Sequence, residues 1–234
     1  VSHEETDVTS AARDLTWERS EWVGAGNEFN IIAARDEDGN LIQTFQDFLG
    51  NYDVTLPNVD FDIEPWEDIV LRASVSETIT RPNYNDIKGG LAPDGTQFTP
   101  TNRPAASAGN PNLVPIQSFN IDLSFEWYYD DGSYLSVGYF KKDVDNFIGI
   151  GRTSGTPFEI PNIIGGDLWN QAVEESGIDP SQYTVLGNYI LENYQDHPAV
   201  DGNTIISLPG DPSIVFDLAQ PINQRTAEVD GVEI

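Results

Sequence analysis

Residues 118–148 show a strict alternation of hydrophobic and polar positions. Apolar or aromatic side chains occupy every second position from Phe119 to Tyr129, and the side chains between them are mostly polar. A period of two predicts a β-strand with one apolar and one polar face. The turn 130–132 follows, and a second strand then returns through Leu135. The first strand is long for a globular sheet, and it suits a tilted strand crossing a bilayer, which needs about 9–11 residues.

Two further segments have strand character. Residues 52–81 alternate on both sides of a tight turn at 64–67, which predicts a second hairpin. Pro57 removes one ladder hydrogen bond, so we expect a bulge or the start of the strand there. Residues 220–234 read as one more strand, cut off before its natural end. With the hairpin 116–148, these segments predict about five strands.

Long and tight connections alternate along the chain. The tight ones lie at 64–67 and 130–132, and the long ones are predicted to be extracellular loops over 1–51, 82–115 and 149–219. Outer-membrane barrels have short turns on the periplasmic side and long loops outside. A soluble sandwich usually turns about every 8–12 residues. The pattern therefore predicts an all-β fold, a portion of a transmembrane antiparallel β-barrel.

Two short helices are predicted within the loop 149–219. The first has an N-cap signal at Asp167 and a stop at Gly177. The second begins at Asp179 and stops before Pro198.

The net charge of the chain limits the classes of partner that it can bind. It carries 39 acidic and 11 basic side chains, a formal charge of −28. Such a chain repels nucleic-acid phosphates, so no nucleic-acid role is predicted. The excess of acid is largest in 1–50 and 149–219, where it suits solvated loop surfaces.

Cysteine and methionine are both absent. Without cysteine, no disulfide or thiol chemistry is predicted. No apolar run is long enough for a transmembrane helix. The chain begins VSHEETDV, without the basic and apolar regions of a signal peptide, so we expect a fragment or a processed chain.

Several segments resemble TonB-dependent outer-membrane receptors. VLRASVSETITRPNYNDI at 70–87 is similar to a strand and strand end of that family. GNPNLVP at 109–115 resembles the stretch that leads from an extracellular loop into the next strand. The hairpin 119–148 and the terminal AEVDGVEI at 227–234 extend the resemblance, whereas the loops carry little of it.

The resemblance implies a closed barrel around an N-terminal plug domain, in the outer membrane of a Gram-negative bacterium. Such a receptor imports a nutrient with energy delivered through TonB. The implied partners are the TonB complex, outer-membrane lipid and a small-molecule or oligosaccharide ligand, for example an oligosaccharide or an iron chelate. No TonB box, plug or terminal aromatic strand is recognisable in the sequence, so we expect an internal or late portion of the barrel. Because an open sheet in lipid leaves unpaired amide edges, the functional unit should contain more chain.

No catalytic, cofactor or metal site is predicted, and the protein is not expected to be an enzyme. His3 and His197 lie far apart in sequence, and no HExxH spacing is present. The acidic run at 36–40 lacks the glycine of a calcium loop and is better read as a turn, with a small hairpin across it. Asp122 and Glu126 lie about 13 Å apart along one strand, too far for a glycosidase pair. They suit the polar lining of a lumen.

Ligand binding is assigned to aromatic residues of the loops, namely Trp17, Trp22, Trp169 and Tyr183. Their rings can stack on sugars or other flat ligands. The alternative is that they pack the loops together, which the helical spacing of Tyr183 and Leu186 favours.

Four aromatic residues flank the two tight turns: Trp66, Trp127, Tyr128 and Tyr129. We expect them at the periplasmic membrane interface, where tryptophan and tyrosine are enriched. The alternative is an ordinary aromatic core.

Two other functions remain compatible with the residues. A secreted acidic β-sandwich binding module or adhesin would fold alone in water and hide the apolar row of 119–129. A β-rich hydrolase is less well supported, since no nucleophile or acid pair can be named.

Overall fold

A computed structural model describes residues 1–24 and 28–234. The strands are β1 (Ser2–Leu15), β2 (Trp17–Val23), β3 (Phe29–Ala33), β4 (Gln43–Leu56), β5 (Asn58–Trp66), β6 (Ile69–Thr80), β7 (Leu91–Pro93), β8 (Gln97–Phe98), β9 (Ala105–Ala108), β10 (Ile116–Asp130), β11 (Ser133–Gly155), β12 (Val200–Asp201), β13 (Thr204–Ile206) and β14 (Phe216–Glu233). The helices are α1 (Tyr84–Ile87), α2 (Asp167–Ser176) and α3 (Tyr183–Asn193). Among the described residues, no helix is long and apolar enough to cross a membrane.

Five long antiparallel strands form a wall in the order β5-β6-β10-β11-β14. Tight connections join β5 to β6 and β10 to β11 at one end, here called the turn end. Long connections leave the opposite end, the loop end. β11 and β14 extend far beyond β10 there, because Gln117 of β10 pairs with Asp145 while β11 continues to Gly155. This architecture agrees with the predicted fold class.

The two faces of the wall differ in chemistry. Strand register places Leu71, Phe125 and Val137 in one row. Neighbouring rows on this outer face contain Ile69, Ala73, Val75, Ile121, Leu123, Trp127, Leu135, Tyr139 and Val232. Leu123, in the middle of the face, is 47% exposed. The outer face is thus an apolar band that no layer formed by the described residues covers.

Charged side chains end the apolar band towards the loop end. Lys141 lies opposite Ile121 and Asp230. Its ammonium group lies 3.3 Å from Glu228 and 3.5 Å from Asp143. These charges require water or lipid headgroups around them, so they place a limit on hydrocarbon contact.

The inner face of the wall is polar. Arg72 pairs with Glu126 and lies 3.6 Å from Asp62. Ser74 donates a hydrogen bond to Asp60 at 2.7 Å. Further along, the buried Asn120 amide bonds Thr78 and backbone carbonyls. The side chains of this face hold one another through a hydrogen-bonded network, which agrees with the expected polar lining.

The expectation of one loop over residues 1–51 is wrong. β1 and β4 pair along their whole length, from Ser2 opposite Leu56 to Leu15 opposite Gln43. β4 then runs into β5 past Pro57, so this hairpin prolongs the wall at the loop end. Its half-buried face on β1 carries Thr6, Val8, Ser10 and Ala12, side chains that are small or polar. Alternation with so little contrast in hydrophobicity gives no clear strand signal.

A second compact unit, here called the cap, lies at the loop end. It combines the sheet β12-β13-β2-β3-β8 with α2 and α3, and it draws on the connections 16–42, 94–104 and 156–215. Its core contains Trp22, Phe29, Ile31, Phe98, Ile160, Trp169, Leu186, Ile190, Ile205 and Phe216. Segments distant in sequence therefore share one hydrophobic interior.

Close approach and capping fix the two helices of the cap. A Cβ at Gly187 would overlap the ring of Trp22, so α3 packs against β2 through a glycine. α2 begins at Asp167 with Gly166 as the N-cap residue, one position earlier than expected. The side chain that stabilises the N-terminus of α2 is that of Asp211. Its carboxylate accepts hydrogen bonds from the backbone N–H of Asp167 (3.3 Å) and of Leu208 (2.7 Å). A Cβ at Gly166 would overlap that carboxylate, so a larger residue there would displace the Asp211 side chain from the helix end.

The ends of α2 and α3 follow different rules. Gly177 adopts a left-handed conformation (φ 68°) and ends α2, as expected. α3 begins at Tyr183 and not at Asp179, because the Asp179 carboxylate accepts from Ser181 and holds a separate turn. Tyr194 donates to Glu175 at 2.7 Å and ties α3 to α2, which raises the pKa of Tyr194 to about 12.

Candidate functional site at the loop end

The inner side of the β1–β4 hairpin is bonded to the segment that follows β6. Arg81 donates two hydrogen bonds of 2.8 Å to the Glu4 carboxylate, and the Tyr52 hydroxyl donates a third at 3.0 Å. The Arg81 guanidinium holds the pKa of Glu4 below its ordinary value, and Glu4 in turn raises the pKa of Arg81. The backbone of Gly89 donates to Ser10 at 2.8 Å. The segment 81–90 is thereby held against the hairpin.

The GNPNLVP motif at 109–115 is held by Asn223 of β14. The Asn223 side chain accepts from the backbone N–H of Val114 and donates to its carbonyl, both at 3.0 Å. It also donates to Asn146 at 2.7 Å, where a bulge with positive φ (60°) interrupts β11. The bulge turns this carbonyl towards the motif. One amide side chain therefore links β14, β11 and the entry to β10.

Two glycines allow backbones to meet in this region. A Cβ at Gly50 would overlap the carbonyl of Pro111, and a Cβ at Gly109 would overlap that of Lys88. Asn110 further donates to the carbonyl of Pro221 at 3.0 Å. The motif is thus a packed element that joins the hairpin, the segment 81–90 and β14.

A cleft of about 710 Å³ lies between these parts and is called the mouth cleft below. Its polar lining consists of Asp14, Gln46, Asn110, Asn112, Arg152, Thr153, Gln220 and Gln224. Its apolar lining includes Phe48, Leu91, Leu218 and Ile222. The volume falls within the range of about 300–1,000 Å³ typical of small-molecule sites. Amide groups and apolar side chains dominate its chemistry.

The predicted ligand-binding aromatics are placed elsewhere. Trp22 and Trp169 are 0% and 2% exposed and lie inside the cap core, so their ring faces are unavailable for stacking. Trp17 packs edge-on to Phe158 with 6.3 Å between ring centroids, and Tyr183 lies 6.1 Å from Trp169. All four serve the packing of the cap, and none of them lines the mouth cleft.

The predicted interface aromatics lie at the turn end. Trp66 is 68% exposed, and the rings of Trp127 and Tyr129 pack at 5.4 Å on the outer face. Tyr128 differs from these three, because it stacks on Tyr134 and donates to Glu126 on the inner face. Alternation along the strand explains this, since neighbouring residues face opposite sides.

Residues expected to have no chemical role remain apart in the structure. His3 lies 3.5 Å from Asp53 on β4, and His197 accepts from the backbone of Ala199 in the cap. Asp36 accepts from Asp38 and Asn40, which confirms the turn at 36–40. Within 1–24 and 28–234, no group of three or more acidic or histidine side chains is placed to hold a metal.

Sequence reasoning missed the residues of the mouth cleft. Gln46 and Phe48 lie in a segment for which the sequence predicts a loop, and Gln220 and Gln224 lie on a strand whose neighbours the sequence does not specify. Single amide residues on separate strands carry no spacing signal. The GNPNLVP motif was the one segment of the cleft that the sequence did single out.

Comparison with known families decides the identity. The profile described as TonB dependent receptor-like, beta-barrel, matches residues 19–233. The chain belongs to the TonB-dependent receptor family. This agrees with the resemblance seen at 70–87 and 109–115. No curated protein matches the chain.

Several solved receptor structures are similar to the TonB-dependent receptor chain at low identity. The siderophore receptor PirA from Acinetobacter baumannii is 14% identical, with a TM-score of 0.44, over 88% of this chain and 24% of its own. A mutant ferric enterobactin receptor PfeA from Pseudomonas aeruginosa is 17% identical, with a TM-score of 0.43, over 88% and 22%. The hemophore receptor HasR from Serratia marcescens, in complex with its hemophore HasA and heme, is 13% identical, with a TM-score of 0.42, over 98% and 27%. The chain spans about a quarter of the length of these receptors.

Proposed function

We propose that this chain forms part of the barrel of an outer-membrane receptor that imports a nutrient in a TonB-dependent manner. The wall crosses the outer membrane of a Gram-negative bacterium, with the turn end in the periplasm and the loop end outside. The partners of the whole receptor are the TonB complex, outer-membrane lipid and a small-molecule or oligosaccharide ligand. The protein is a transporter and not an enzyme.

The observation that carries this proposal is the difference between the two faces of the wall. The apolar outer band extends from Trp66 and Trp127 at the turn end to the charges around Lys141. Along β10 that distance is about 20–27 Å at about 3.4 Å per residue, and a strand tilt of about 35–45° reduces it to about 14–22 Å of height, somewhat less than the band of about 25 Å seen in such barrels. The inner face carries charged and hydroxyl groups, which a water-filled or plugged lumen accommodates.

The adhesin alternative receives no support from this arrangement. It required the row of 119–129 to be hidden inside a sandwich. Leu123 is 47% exposed and Trp127 is 45% exposed, and within the described residues no second sheet covers them.

Fluorescence quenching in the full receptor tests the membrane placement. Reconstitution in lipids brominated at defined depths should quench Trp66 and Trp127, when each is the only tryptophan left, with a maximum near the interface. Trp22 and Trp169 should stay unquenched, because the cap lies outside the bilayer. Quenching of the cap tryptophans, or none at Trp66 and Trp127, would contradict the proposal.

TonB dependence needs a separate measurement. Growth on the receptor's nutrient should be lost when either the receptor gene or tonB is deleted, and it should return with the intact copy. Growth that survives deletion of tonB would contradict energised import while leaving the membrane placement intact.

A further inference from the structure

We propose that the mouth cleft binds a neutral, polyhydroxylated ligand of the oligosaccharide class. The inference rests on the proposed transport function and names the substrate class and the binding residues. It moves ligand recognition from the aromatic residues of the cap to amide side chains on the barrel strands and the GNPNLVP motif.

The charge of the cleft argues for a neutral ligand. Within the described lining there is one cation, Arg152, and one carboxylate, Asp14. Tight binding of a polyanion needs several converging Arg or Lys groups, since each charge removed from water must be compensated. Among the other cations of the loop end, Arg81 is paired with Glu4 and Arg103 with Asp217 at 3.6 Å, while Arg13 and Lys88 line an adjoining cavity and not this cleft. The chain as a whole carries −28 and repels anions before they reach the mouth.

The amide groups argue for hydroxyl recognition. A primary amide offers two donors and a carbonyl acceptor, which match the mixed donor and acceptor character of sugar hydroxyls. Three such amides line the cleft: Gln46 lies on β4, Asn112 in the GNPNLVP motif and Gln224 on β14. Among the described residues, none of these three amide groups has a hydrogen-bond partner. By contrast, Asn110 and Gln220 donate to backbone carbonyls at 3.0 Å and hold the cleft together.

The apolar lining completes the match. Phe48, Leu91 and Leu218 present hydrocarbon surface between the amide groups. A pyranose ring has apolar C–H faces bordered by hydroxyls, so it pairs with an aromatic ring beside hydrogen-bonding groups. Phe48 is held in place by Gly89, where a Cβ would overlap the ring. The cleft therefore has a preformed apolar surface bordered by amide side chains.

A second large cavity on the inner face has different chemistry. It measures about 610 Å³ and is lined by Asp60, Asp62, Arg72, Lys142 and Glu233. That cavity suits charged partners, and it lies on the wall nearer the turn end. Neutral amide lining is thus a property of the mouth cleft and not of the inner face in general.

Binding measurements on the full receptor in detergent test the proposal. The probes are neutral hexasaccharides (maltohexaose, cellohexaose and xylohexaose), hexagalacturonate as an anionic sugar of the same size, and ferric enterobactin as an anionic iron chelate. We expect at least one neutral hexasaccharide to bind, and hexagalacturonate to bind at least tenfold more weakly. The double substitution Gln46→Ala with Gln224→Ala should weaken binding of the neutral sugar by about tenfold or more, since two hydrogen bonds are lost.

A matched control comes from the same strand. Gln43 lies on β4 but on the opposite face from Gln46, so Gln43→Ala should leave the affinity unchanged. Hydrogen exchange of β4 in each variant confirms that the strand is intact. Equal loss of affinity in both variants would overturn the assignment of the cleft.

The remaining outcomes separate this inference from the transport function. Binding of ferric enterobactin with no binding of any neutral hexasaccharide at millimolar concentration overturns the substrate class and leaves TonB-dependent import standing. Sugar binding that is unaffected by the double substitution overturns the site alone. Loss of the TonB requirement for growth would refute the transport function whatever the cleft binds.

Discussion

The wall and the cap use the same residue type in opposite ways. Trp66 and Trp127 lie exposed on the outer face of the wall, whereas Trp22 and Trp169 lie buried in the cap. In the wall, neighbouring strands hold the backbone, and the apolar side chains of the outer face turn outward, which suits the membrane placement proposed above. In the cap, apolar side chains from distant segments turn towards each other and exclude solvent. The comparison teaches that a tryptophan is buried where other elements of the chain face it, as in the cap, and exposed where none of the described elements does, as on the outer face of the wall.

The largest expected effect comes from emptying the cap core. Trp22→Ala removes a fully buried ring against which Gly187 packs, and we expect a loss of about 3–5 kcal/mol in cap stability. Hydrogen exchange of the full receptor should show faster exchange of α2 and α3 while β10 and β11 remain protected. Val185, 52% exposed on α3, provides the control, and Val185→Ala should change little. Faster exchange throughout the wall would mean that the two parts unfold as one unit.

A charged residue introduced on the outer face of the wall tests whether that face contacts lipid. Leu123→Arg should destabilise the folded receptor in lipid by about 2–4 kcal/mol, the cost of arginine near the middle of a bilayer. An arginine introduced on the inner face by Ser136→Arg adds a cation opposite Glu126 and should cost much less stability. Folding yields in vesicles of fixed composition measure both. Similar costs for the two variants would remove the distinction between the faces.

A smaller effect is expected at the start of α2. Asp211→Ala deletes the carboxylate that accepts hydrogen bonds at the N-terminus of α2. It should lower the stability of the cap by about 1 kcal/mol. Gly166→Ala should expel the same carboxylate by overlap and have a similar effect. The double variant should cost no more than the larger single one, because both act on one interaction. Additive losses in cap hydrogen exchange would show that Gly166 acts in another way.

The smallest effect is a pH dependence at the hairpin. The pKa of Glu4 is lowered from 4.5 by Arg81, so its contribution to stability is fully present above pH 4.5 and is lost as the pH falls through the lowered value. Protection of β1 from proteolysis in wild type should exceed that in Glu4→Gln at pH 7. The difference should vanish in strongly acidic buffer, where both side chains are neutral. A difference that persists there would assign the effect to packing and not to charge.

The wall was more accessible to sequence reasoning than the cap. The two faces of a strand such as β10 appear as alternating residues in the sequence, so alternation predicts both hairpins of the wall. α2 was found through Gly177, a local stop signal. The pairing of β2 with β13 joins Trp22 to Ile205 across most of the chain, and no local pattern reports such contacts.

The candidate site was hardly predictable from sequence. Aromatic loop residues drew attention because tryptophan is rare and conspicuous, yet the fold uses them as core. The amides of the mouth cleft come from three separate elements, and their meeting depends on the bulge at Asn146 and on the close approach at Gly50. Only the resemblance of 109–115 to a family motif pointed to the right neighbourhood.

The length of β11 has a consequence for how the receptor meets its surroundings. Its 23 residues extend about 75 Å along the strand, whereas a bilayer crossing needs about 9–11 residues. If the wall crosses the membrane as proposed, more than half of β11 lies beyond the lipid at the loop end. In that placement, a solute that approaches the loop end first contacts the paired strands β11 and β14, well beyond the lipid.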